Sequence, residues 1–154
     1  MHTVRDAVEG DLDGLAEALC RQPLLVRYGA TAAATARSLR AALARGDGLL
    51  VAAGEGRAFG LAWFVPGGTF ALGGYLRLLG LAPGHEGQGA GAALLDEVER
   101  RTAAQSNILF VLCDSENQAA RRFYGRRGYL EAGQFNGLVR RGIDEVVLWK
   151  RVAD

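Results

Sequence analysis

Apolar and polar residues alternate with helical spacing in the first third of the chain. Between residues 12 and 19 the apolar side chains repeat at i, i+3, i+4 and i+7, which predicts a helix with Asp11 as its N-cap. Pro23 is expected to break this helix. Thr31 can cap a second helix, which Gly46 is expected to close.

Shorter apolar segments predict the strands of a sheet. Residues 49–53 and 57–65 flank the turn Gly54-Glu55-Gly56, which indicates a hairpin. A turn at Gly67-Gly68 leads into a third strand-like stretch, 69–81. The run ILFVLC is continuously apolar, which is typical of a strand buried on both faces. The remaining strands are expected at 2–7, 108–113 (this apolar run), 129–135 and 143–150.

Two more helices are expected in the second half of the chain. One follows a glycine-rich segment and runs to about residue 104, and the other places Phe123 and Tyr124 on its apolar face and ends at Gly128. Residues 136–142 are expected to form a loop. The predicted order is β-α-α-β-β-β-α-β-α-β-β, which describes one α+β domain on a mixed sheet covering residues 1–154.

Composition narrows the class of protein. The 154 residues are 49% hydrophobic and 23% charged, as in a globular domain, and a net charge of +1 favours neither nucleic acid nor an anionic membrane as a partner. The two cysteines, Cys20 and Cys113, are too few for a disulfide scaffold or a metal site. A charged N-terminus without an apolar segment predicts no signal peptide, no run is long enough to span a bilayer, and a cytoplasmic location is expected.

The segment LGLAPGHEGQGAGAALLDEVE, residues 79–99, places four glycines within eight positions where a strand should meet a helix. The first N–H groups of a helix have no partner within the helix and carry a partial positive charge, so phosphate oxygens bind there when side chains leave access. The segment therefore predicts an anion site. A glycine-rich turn without a ligand is the alternative.

A dinucleotide site is one candidate for this segment. Gly87-x-Gly89-x-x-Ala92 matches the Rossmann pattern, and Asp114 follows Ala92 by 22 residues, where an acidic residue would bind a ribose hydroxyl. However, residues 83–86 separate the strand from the glycines, hairpins come first and the chain has a single crossover. A Walker loop is excluded because no Gly-Lys-Ser/Thr follows.

A second segment, ENQAARRFYGRRGY, has the spacing N-x-x-A-x-x-F-Y-x-x-x-G-[FY] from Asn117 to Tyr129. Together with L-x-P-x-x-x-G-x-G-x-G at 81–91, it resembles the GNAT family of acetyl-CoA-dependent N-acetyltransferases. The resemblance extends over the whole chain in element order and implies a GNAT-like acyl-CoA N-acyltransferase fold. It also implies an enzyme that moves an acetyl group from acetyl-CoA (coenzyme A) to a primary amine, of a small molecule or a peptide, by direct attack. A non-catalytic acyl-CoA-binding sensor or interaction domain is the alternative.

The resemblance implies a role for each matching residue. Backbone amides of the loop would bind the coenzyme A pyrophosphate, at Gly87, Gln88, Gly89, Ala90, Gly91 and Ala92. The backbone of Leu79, Gly80 and Leu81 would pair with the pantetheine arm and polarise the thioester carbonyl. Asn117 would bond the arm, and Tyr124 would be the general acid that protonates the leaving thiolate.

Two positions depart from the family pattern. Glu86 stands where the family has arginine or glutamine, so its carboxylate is expected to repel the pyrophosphate, and Glu86→Gln is expected to tighten coenzyme A binding. Residues 69–82 contain no Asp or Glu to act as general base. Asp114, Glu116, Glu145, a water chain or the neutral fraction of the amine could each serve instead.

The resemblance also bears on partners. One or two of four arginines on the Tyr124 helix are expected to meet the 3′-phosphate of the coenzyme: Arg121, Arg122, Arg126 and Arg127. The segments 21–35 and 136–142 are expected to flank the acceptor, and their arginines favour a substrate that bears a carboxylate. A homodimer is compatible with the family, in which dimers are common.

Overall fold

The computed structural model describes residues 1–154 and contains a seven-stranded mixed sheet with five α-helices. The strands are β1 (Thr3–Asp6), β2 (Gly48–Gly54), β3 (Arg57–Thr69), β4 (Gly73–Leu81), β5 (Ile108–Asp114), β6 (Leu130–Arg140) and β7 (Ile143–Arg151). The helices are α1 (Leu12–Leu19), α2 (Pro23–Arg27), α3 (Ala32–Arg45), α4 (Ala90–Ala103) and α5 (Gln118–Arg126), and a 3-10 turn (Glu9–Asp11) precedes α1.

The strands lie side by side in the order β1-β2-β3-β4-β5-β7-β6. β4 and β5 pair in parallel, whereas β1–β2, β2–β3, β5–β7 and β6–β7 are antiparallel pairs. Helix α4 makes the crossover that a parallel pair requires. The predicted α+β class and mixed sheet are confirmed, and the strands follow in the predicted order.

Helix α2 was not predicted. Pro23 occupies its first position, where the fixed φ of proline suits a helix and the missing N–H removes no bond. Helix α1 has already ended at Leu19, with Cys20 as its C-cap. Pro23 therefore begins a helix, and the prediction that it breaks one was wrong.

Residues group into two compact units, 1–64 with 78–99 and 65–77 with 100–154. That the whole chain acts as one domain stays a prediction. None of the helices is long and apolar enough to cross a membrane. No group of three or more His, Cys, Asp or Glu side chains could hold a metal ion.

The core of the first unit lies between two helices and the first strands. Leucines of α1 and α3 pack against β2 and β3, and the buried set includes Leu12, Leu15, Leu19, Leu39, Leu49, Val51, Leu61 and Trp63. The signals around α3 are confirmed: the Ala34 N–H donates to Thr31 Oγ1 at 3.2 Å, and Gly46 ends the helix at φ 83°. The predicted β2–β3 hairpin is also confirmed, with Glu55 and Gly56 both at positive φ in a two-residue turn.

Asp11 is the N-cap residue of α1, as predicted, but its side chain makes no cap bond. Its carboxylate accepts hydrogen bonds from the Val8 N–H at 2.8 Å and from the Arg5 guanidinium at 2.8 and 2.9 Å. The guanidinium holds the pKa of Asp11 below its usual value. The side chain thus stabilises the 3-10 turn and its junction with β1, and no cap bond reaches the first turn of α1. The carboxylate is bound by Arg5 and Val8 instead of by the first turn of α1.

In the second unit, β5 pairs with β7 over its full length. Leu109, Val111 and Cys113 are buried, whereas the alternate residues Ile108, Phe110 and Leu112 are only half-buried. The strand is therefore fully buried on one face and half-buried on the other, and the expectation that both faces are buried was wrong. A continuous apolar sequence does not show how completely each face of the strand is buried.

Two turns differ from the predictions. β3 continues through Gly67 and Gly68, and the chain turns at Phe70 and Ala71, at φ 51° and 58°. The Phe70 ring packs edge-on against Phe110 with centroids 5.2 Å apart, a contact that helps to hold this unusual turn. The predicted 136–142 loop is mostly strand, because β6 continues to Arg140 and pairs there with Ile143.

Candidate active site

The glycine loop connects β4 with α4 in the first unit. The Ala82 N–H donates to Phe59 O at 2.7 Å, and the His85 ring stacks on Phe59 with centroids 4.2 Å apart, which anchors the start of the loop. A Cβ atom added to Gly60 would lie 2.7 Å from Leu81 Cδ2 and 3.3 Å from Leu94 Cδ1. This glycine in β3 therefore lets α4 and the end of β4 pack closely against the sheet.

The loop leaves its backbone open. Gly84, Gly87 and Gly89 all have positive φ, at 90°, 76° and 85°, a conformation that favours glycine. A Cβ atom on any of them would meet no other atom within 4 Å. Helix α4 then begins at Ala90 with no acidic residue in its first turn. An exposed glycine loop at the start of a 14-residue helix fits an anionic group such as a pyrophosphate.

Glu86 is turned back into this loop. Its Oε2 accepts from the Gly84 N–H at 2.9 Å, and its Oε1 accepts from Gln22 Nε2 at 2.8 Å. The Gln22 hydrogen bond is the main reason that the pKa of Glu86 lies below its usual value. Gln22 Nε2 also donates to Leu81 O at 2.5 Å. No sequence pattern indicates the contact between Gln22 and Glu86, which lie 64 positions apart.

The end of β4 carries the backbone predicted to bind the pantetheine arm. The parallel ladder between β4 and β5 covers Gly74 to Leu76, while β4 itself continues to Leu81. Leu79, Gly80 and Leu81 are half-buried. Their backbone lies outside that ladder, and the Leu81 carbonyl is the acceptor for Gln22.

Tyr124 lies on α5 in the second unit and is 6% exposed. Its ring makes edge contacts with Phe123 and Tyr129, at centroid distances of 5.3 and 5.4 Å. Burial raises the pKa of Tyr124, and the nearby Cys113 and Tyr75 raise it further. The phenol is therefore protonated at neutral pH, which is the state that a general acid needs. Phe123, expected in the core, is half-buried.

Asn117 is the N-cap of α5. Its Oδ1 accepts from the Ala120 N–H at 3.0 Å, which satisfies one of the first N–H groups of the helix. Asn117 is half-buried. With Oδ1 bound to the helix, its side chain would bind a pantetheine carbonyl through the amide nitrogen as donor.

The three carboxylates considered as general base differ in their surroundings. Glu116 is exposed, whereas Asp114 and Glu145 are 4% and 5% exposed. Asp114 Oδ1 accepts from the Glu116 N–H at 3.0 Å and so holds the turn before α5. Glu145 lies opposite Asp114 in the β5–β7 ladder.

Glu145 is electrostatically linked to Tyr75 and Cys113. Burial raises the pKa of Tyr75, and the charge of Glu145 raises it further. Burial also raises the pKa of Cys113 to about 11, with Glu145 among the charges that contribute. Because Tyr75 and Cys113 also act on Tyr124, these four side chains form one cluster of titratable groups. Tyr75 has no signal in the sequence, since one tyrosine in a strand is ordinary.

The four arginines near α5 are not equivalent. Arg121 donates to both oxygens of Glu131 at 2.8 Å and to Ser115 O at 2.8 Å. The Arg127 guanidinium lies 5.9 Å from the centre of the Phe123 ring. Arg122 and Arg126 are exposed. Arg121 thus ties α5 to β6, which leaves Arg122 and Arg126 as the better candidates for a phosphate.

A family model described as the acetyltransferase (GNAT) family matches residues 15–129. The chain belongs to the GNAT acetyltransferase family. It is an N-acetyltransferase that uses acetyl-CoA as co-substrate. The GNAT match includes the glycine loop and both ends of the Asn117–Tyr129 motif, so the resemblance found in the sequence is confirmed.

Solved structures of similar fold cover nearly the whole chain. A ribosomal-protein-alanine N-acetyltransferase from Brucella melitensis is 21% identical with a TM-score of 0.77, over 97% of this chain and 99% of that one. Ard1 from Thermoplasma volcanium is 16% identical with a TM-score of 0.82, over 99% of each chain. The protein yncA from Salmonella typhimurium, solved with its cofactor acetyl-CoA, is 18% identical with a TM-score of 0.76, over 98% and 94%.

The similarity to these solved structures supports the assignment of the fold. A search among curated protein sequences returned no significant match. The glycine loop fits the pyrophosphate of the coenzyme on its own geometry, since its backbone is open to an anion. The chemistry that acetyl-CoA supplies is an activated acetyl thioester.

Proposed function

We propose that this GNAT enzyme transfers the acetyl group of acetyl-CoA to a primary amine by direct attack, with Tyr124 as general acid. The observation that carries the proposal is the Tyr124 phenol, which is buried on α5 and is protonated at neutral pH. In the reaction the amine nitrogen forms a bond to the acetyl carbon and the carbon–sulfur bond breaks. The sulfur takes a proton from Tyr124, and the amine loses one to a base.

The glycine loop supplies the binding energy for the coenzyme. Its amides, from Gly87 to Ala92, would hold the pyrophosphate, because the loop is open and α4 adds the positive end of its dipole. Leu79, Gly80 and Leu81 would hydrogen-bond the pantetheine arm in the manner of an added strand and polarise the thioester carbonyl. Asn117 would donate to the arm through its amide nitrogen.

Glu145 is the best supported of the candidate bases. It is buried, and its charge acts on Tyr75 and Cys113, which in turn act on Tyr124. Asp114 is less suited, since its carboxylate holds the turn before α5. An attacking amine must be neutral, so a carboxylate that accepts its proton, directly or through water, would raise the rate near neutral pH.

The acceptor would be an amine that carries a carboxylate, such as an amino acid or a peptide. Exposed arginines lie in the segments expected to flank it, with Arg21 before α2 and Arg140 and Arg141 at the end of β6. Guanidinium groups bind carboxylates in a bidentate manner. The similar fold of the Brucella melitensis ribosomal-protein-alanine N-acetyltransferase makes peptide N-termini a sensible first group in an acceptor panel. A homodimer stays a prediction.

Calorimetric titration with coenzyme A, acetyl-CoA and NAD tests the binding assignment. Coenzyme A and acetyl-CoA are expected to bind in the micromolar range and NAD is expected not to bind. An acetylation assay with amino acids, peptides and polyamines then tests catalysis. Binding of coenzyme A without acetylation of any amine would favour the alternative, a non-catalytic acyl-CoA-binding domain. Failure to bind coenzyme A would overturn the assignment of the glycine loop.

A further inference from the structure

Gln22 and Glu86 form a completed hydrogen-bond network at the start of the glycine loop. Gln22 Nε2 donates to Leu81 O at 2.5 Å and to Glu86 Oε1 at 2.8 Å, so both of its N–H groups are used. Glu86 Oε2 accepts from the Gly84 N–H at 2.9 Å. The network therefore joins three points, which are the linker between α1 and α2, the last residue of β4 and the turn that opens the loop.

This network acts on a glycine-rich segment whose start is also held by the contacts of Ala82 and His85 with Phe59. The loop contains three glycines at positive φ, and none of them has a neighbour within 4 Å of the place that a Cβ would take. Such backbone loses much conformational freedom when it binds a ligand, and bonds that order it beforehand reduce that cost. The Glu86 bonds to Gln22 and Gly84 are placed to do this, since they fix the residues next to Gly87.

The same bonds change the expected effect of the Glu86 charge. A carboxylate facing the pyrophosphate would repel it, which is why the sequence favoured tighter binding by a glutamine variant. In the structure both carboxylate oxygens accept hydrogen bonds from this chain, one from a side-chain amide and one from a backbone N–H. The oxygens are thus directed toward the start of the loop and Gln22.

We infer that Gln22 and Glu86 are positioning residues that hold the glycine loop in the conformation that binds the coenzyme A pyrophosphate. This inference rests on the proposed function, which assigns the pyrophosphate to that loop. Neither side chain touches the reacting atoms. Their loss should therefore weaken coenzyme binding and leave the chemical step unchanged.

The test is a titration with coenzyme A of the wild type, Glu86→Ala, Gln22→Ala and the double variant. Each single variant is expected to bind about tenfold more weakly, because hydrogen bonds to a charged group are lost. The double variant should be no weaker than Glu86→Ala by more than about twofold, because both residues act through one network. Glu17→Ala removes an exposed carboxylate from α1 and is the matched control, with unchanged affinity expected.

Exchanging the two side chains, Gln22→Glu together with Glu86→Gln, tests whether coenzyme A binding can be restored. Gln22→Glu places two carboxylates together and should bind coenzyme A more weakly than Gln22→Ala. Adding Glu86→Gln restores a donor and an acceptor and should recover most of that loss, which a purely structural effect of Gln22 would not produce. In steady-state assays, KM for acetyl-CoA should rise while kcat at saturating acetyl-CoA stays within about twofold.

The outcomes separate this inference from the proposed function. If the wild type fails to bind coenzyme A, the proposed function fails as well. If the wild type binds and Glu86→Ala binds equally or more tightly, the carboxylate is repulsive or irrelevant and only the inference is overturned. Circular dichroism on each variant identifies any that unfolds, and the exchange of the two side chains then decides.

Discussion

Burial extends to higher pH the range over which Tyr75, Cys113 and Tyr124 stay uncharged. Burial raises the pKa values of Tyr75 and Tyr124 and raises that of the Cys113 thiol to about 11, well above neutral pH. All three are therefore uncharged under ordinary assay conditions. A protonated phenol can donate to a developing thiolate, and an uncharged thiol next to it does not compete as a nucleophile for the acetyl group.

The first prediction concerns the acid itself. Tyr124→Phe removes the proton donor and keeps the ring contacts with Phe123 and Tyr129, so kcat should fall about 10²- to 10³-fold. Affinity for coenzyme A should change by less than about twofold, because binding depends on the loop. Steady-state kinetics and calorimetry measure the two quantities. Tyr129→Phe is the control, since it removes a hydroxyl from the neighbouring buried ring. Equal losses in both variants would contradict the assignment.

The second prediction concerns the base. Glu145→Gln removes the charge at nearly constant shape, so kcat/KM at neutral pH should fall about 10²-fold. Raising the pH should recover part of the loss, because more of the amine is then neutral without help. Asp114→Asn is the matched control, as it removes a buried charge from the opposite position of the ladder and keeps an oxygen for the Glu116 N–H. If Glu145→Gln is as active as the wild type, the assignment of Glu145 as the base is overturned.

Residue roles were partly visible in the sequence. The Asn117–Tyr129 motif and the glycines of 87–91 are local patterns, and they led to the family and to acetyl-CoA. The sequence did not indicate a role for Gln22 or Tyr75, because the residues that interact with each of them are distant in the chain. A single glutamine between two helices forms no sequence pattern. Its partner, Glu86, was expected to weaken coenzyme binding by repelling the pyrophosphate.

At the scale of elements, local signals were reliable where one residue decides the backbone. Thr31 and Gly46 fix the two ends of α3, and Glu55-Gly56 fixes the β2–β3 turn, because capping and positive φ are properties of a few adjacent residues. Errors occurred where pairing decides instead. β6 extends to Arg140 because β7 offers it partners, and β3 passes through two glycines because the turn forms later, at Phe70. Sequence alone does not show those partners.

The third prediction belongs to helix α5 and its arginines. Arg122→Ala and Arg126→Ala should weaken binding of coenzyme A more than binding of 3′-dephospho-coenzyme A, since both guanidiniums are exposed and one or both would meet the 3′-phosphate. Arg121→Ala should instead lower the thermal midpoint, because it removes the bonds to Glu131 and Ser115. Titrations with the two coenzymes and thermal melts separate these effects. An equal loss of affinity for the two coenzymes would contradict the assignment of Arg122 and Arg126 to the 3′-phosphate.

At the scale of the molecule, two sets of groups affect stability at opposite ends of the pH range. The phenols and the thiol around Tyr124 act at alkaline pH, and carboxylates nearer the surface act at acidic pH. Hydrogen bonds from Arg5, Gln22 and Arg121 hold the pKa values of three carboxylates low, at Asp11, Glu86 and Glu131. That stabilisation is present above the usual carboxylate pKa, about 4, and is lost as the pH falls through the lowered values. Free energy of unfolding should therefore be greatest between these acidic and alkaline limits.

The alkaline limit is the last prediction. Above about pH 9 an unfolded chain loses its cysteine proton, whereas the folded chain keeps the Cys113 proton until its pKa of about 11. The unfolded state then binds fewer protons, so the free energy of unfolding falls as the pH rises through this window. Half-buried Tyr75 and buried Tyr124, whose pKa values are also raised, extend the fall to higher pH. Urea unfolding at pH 7, 9, 10 and 11 measures the slope.

Cys113→Val tests which group is responsible, since it fills nearly the same buried space without a titratable proton. Its free energy of unfolding should fall less steeply than that of the wild type between pH 9 and 11. Parallel curves for the wild type and Cys113→Val would assign the alkaline loss to the tyrosines. In that case Tyr124→Phe should flatten the curve above pH 10, which links the stability of the second unit to the same phenol that serves as the acid.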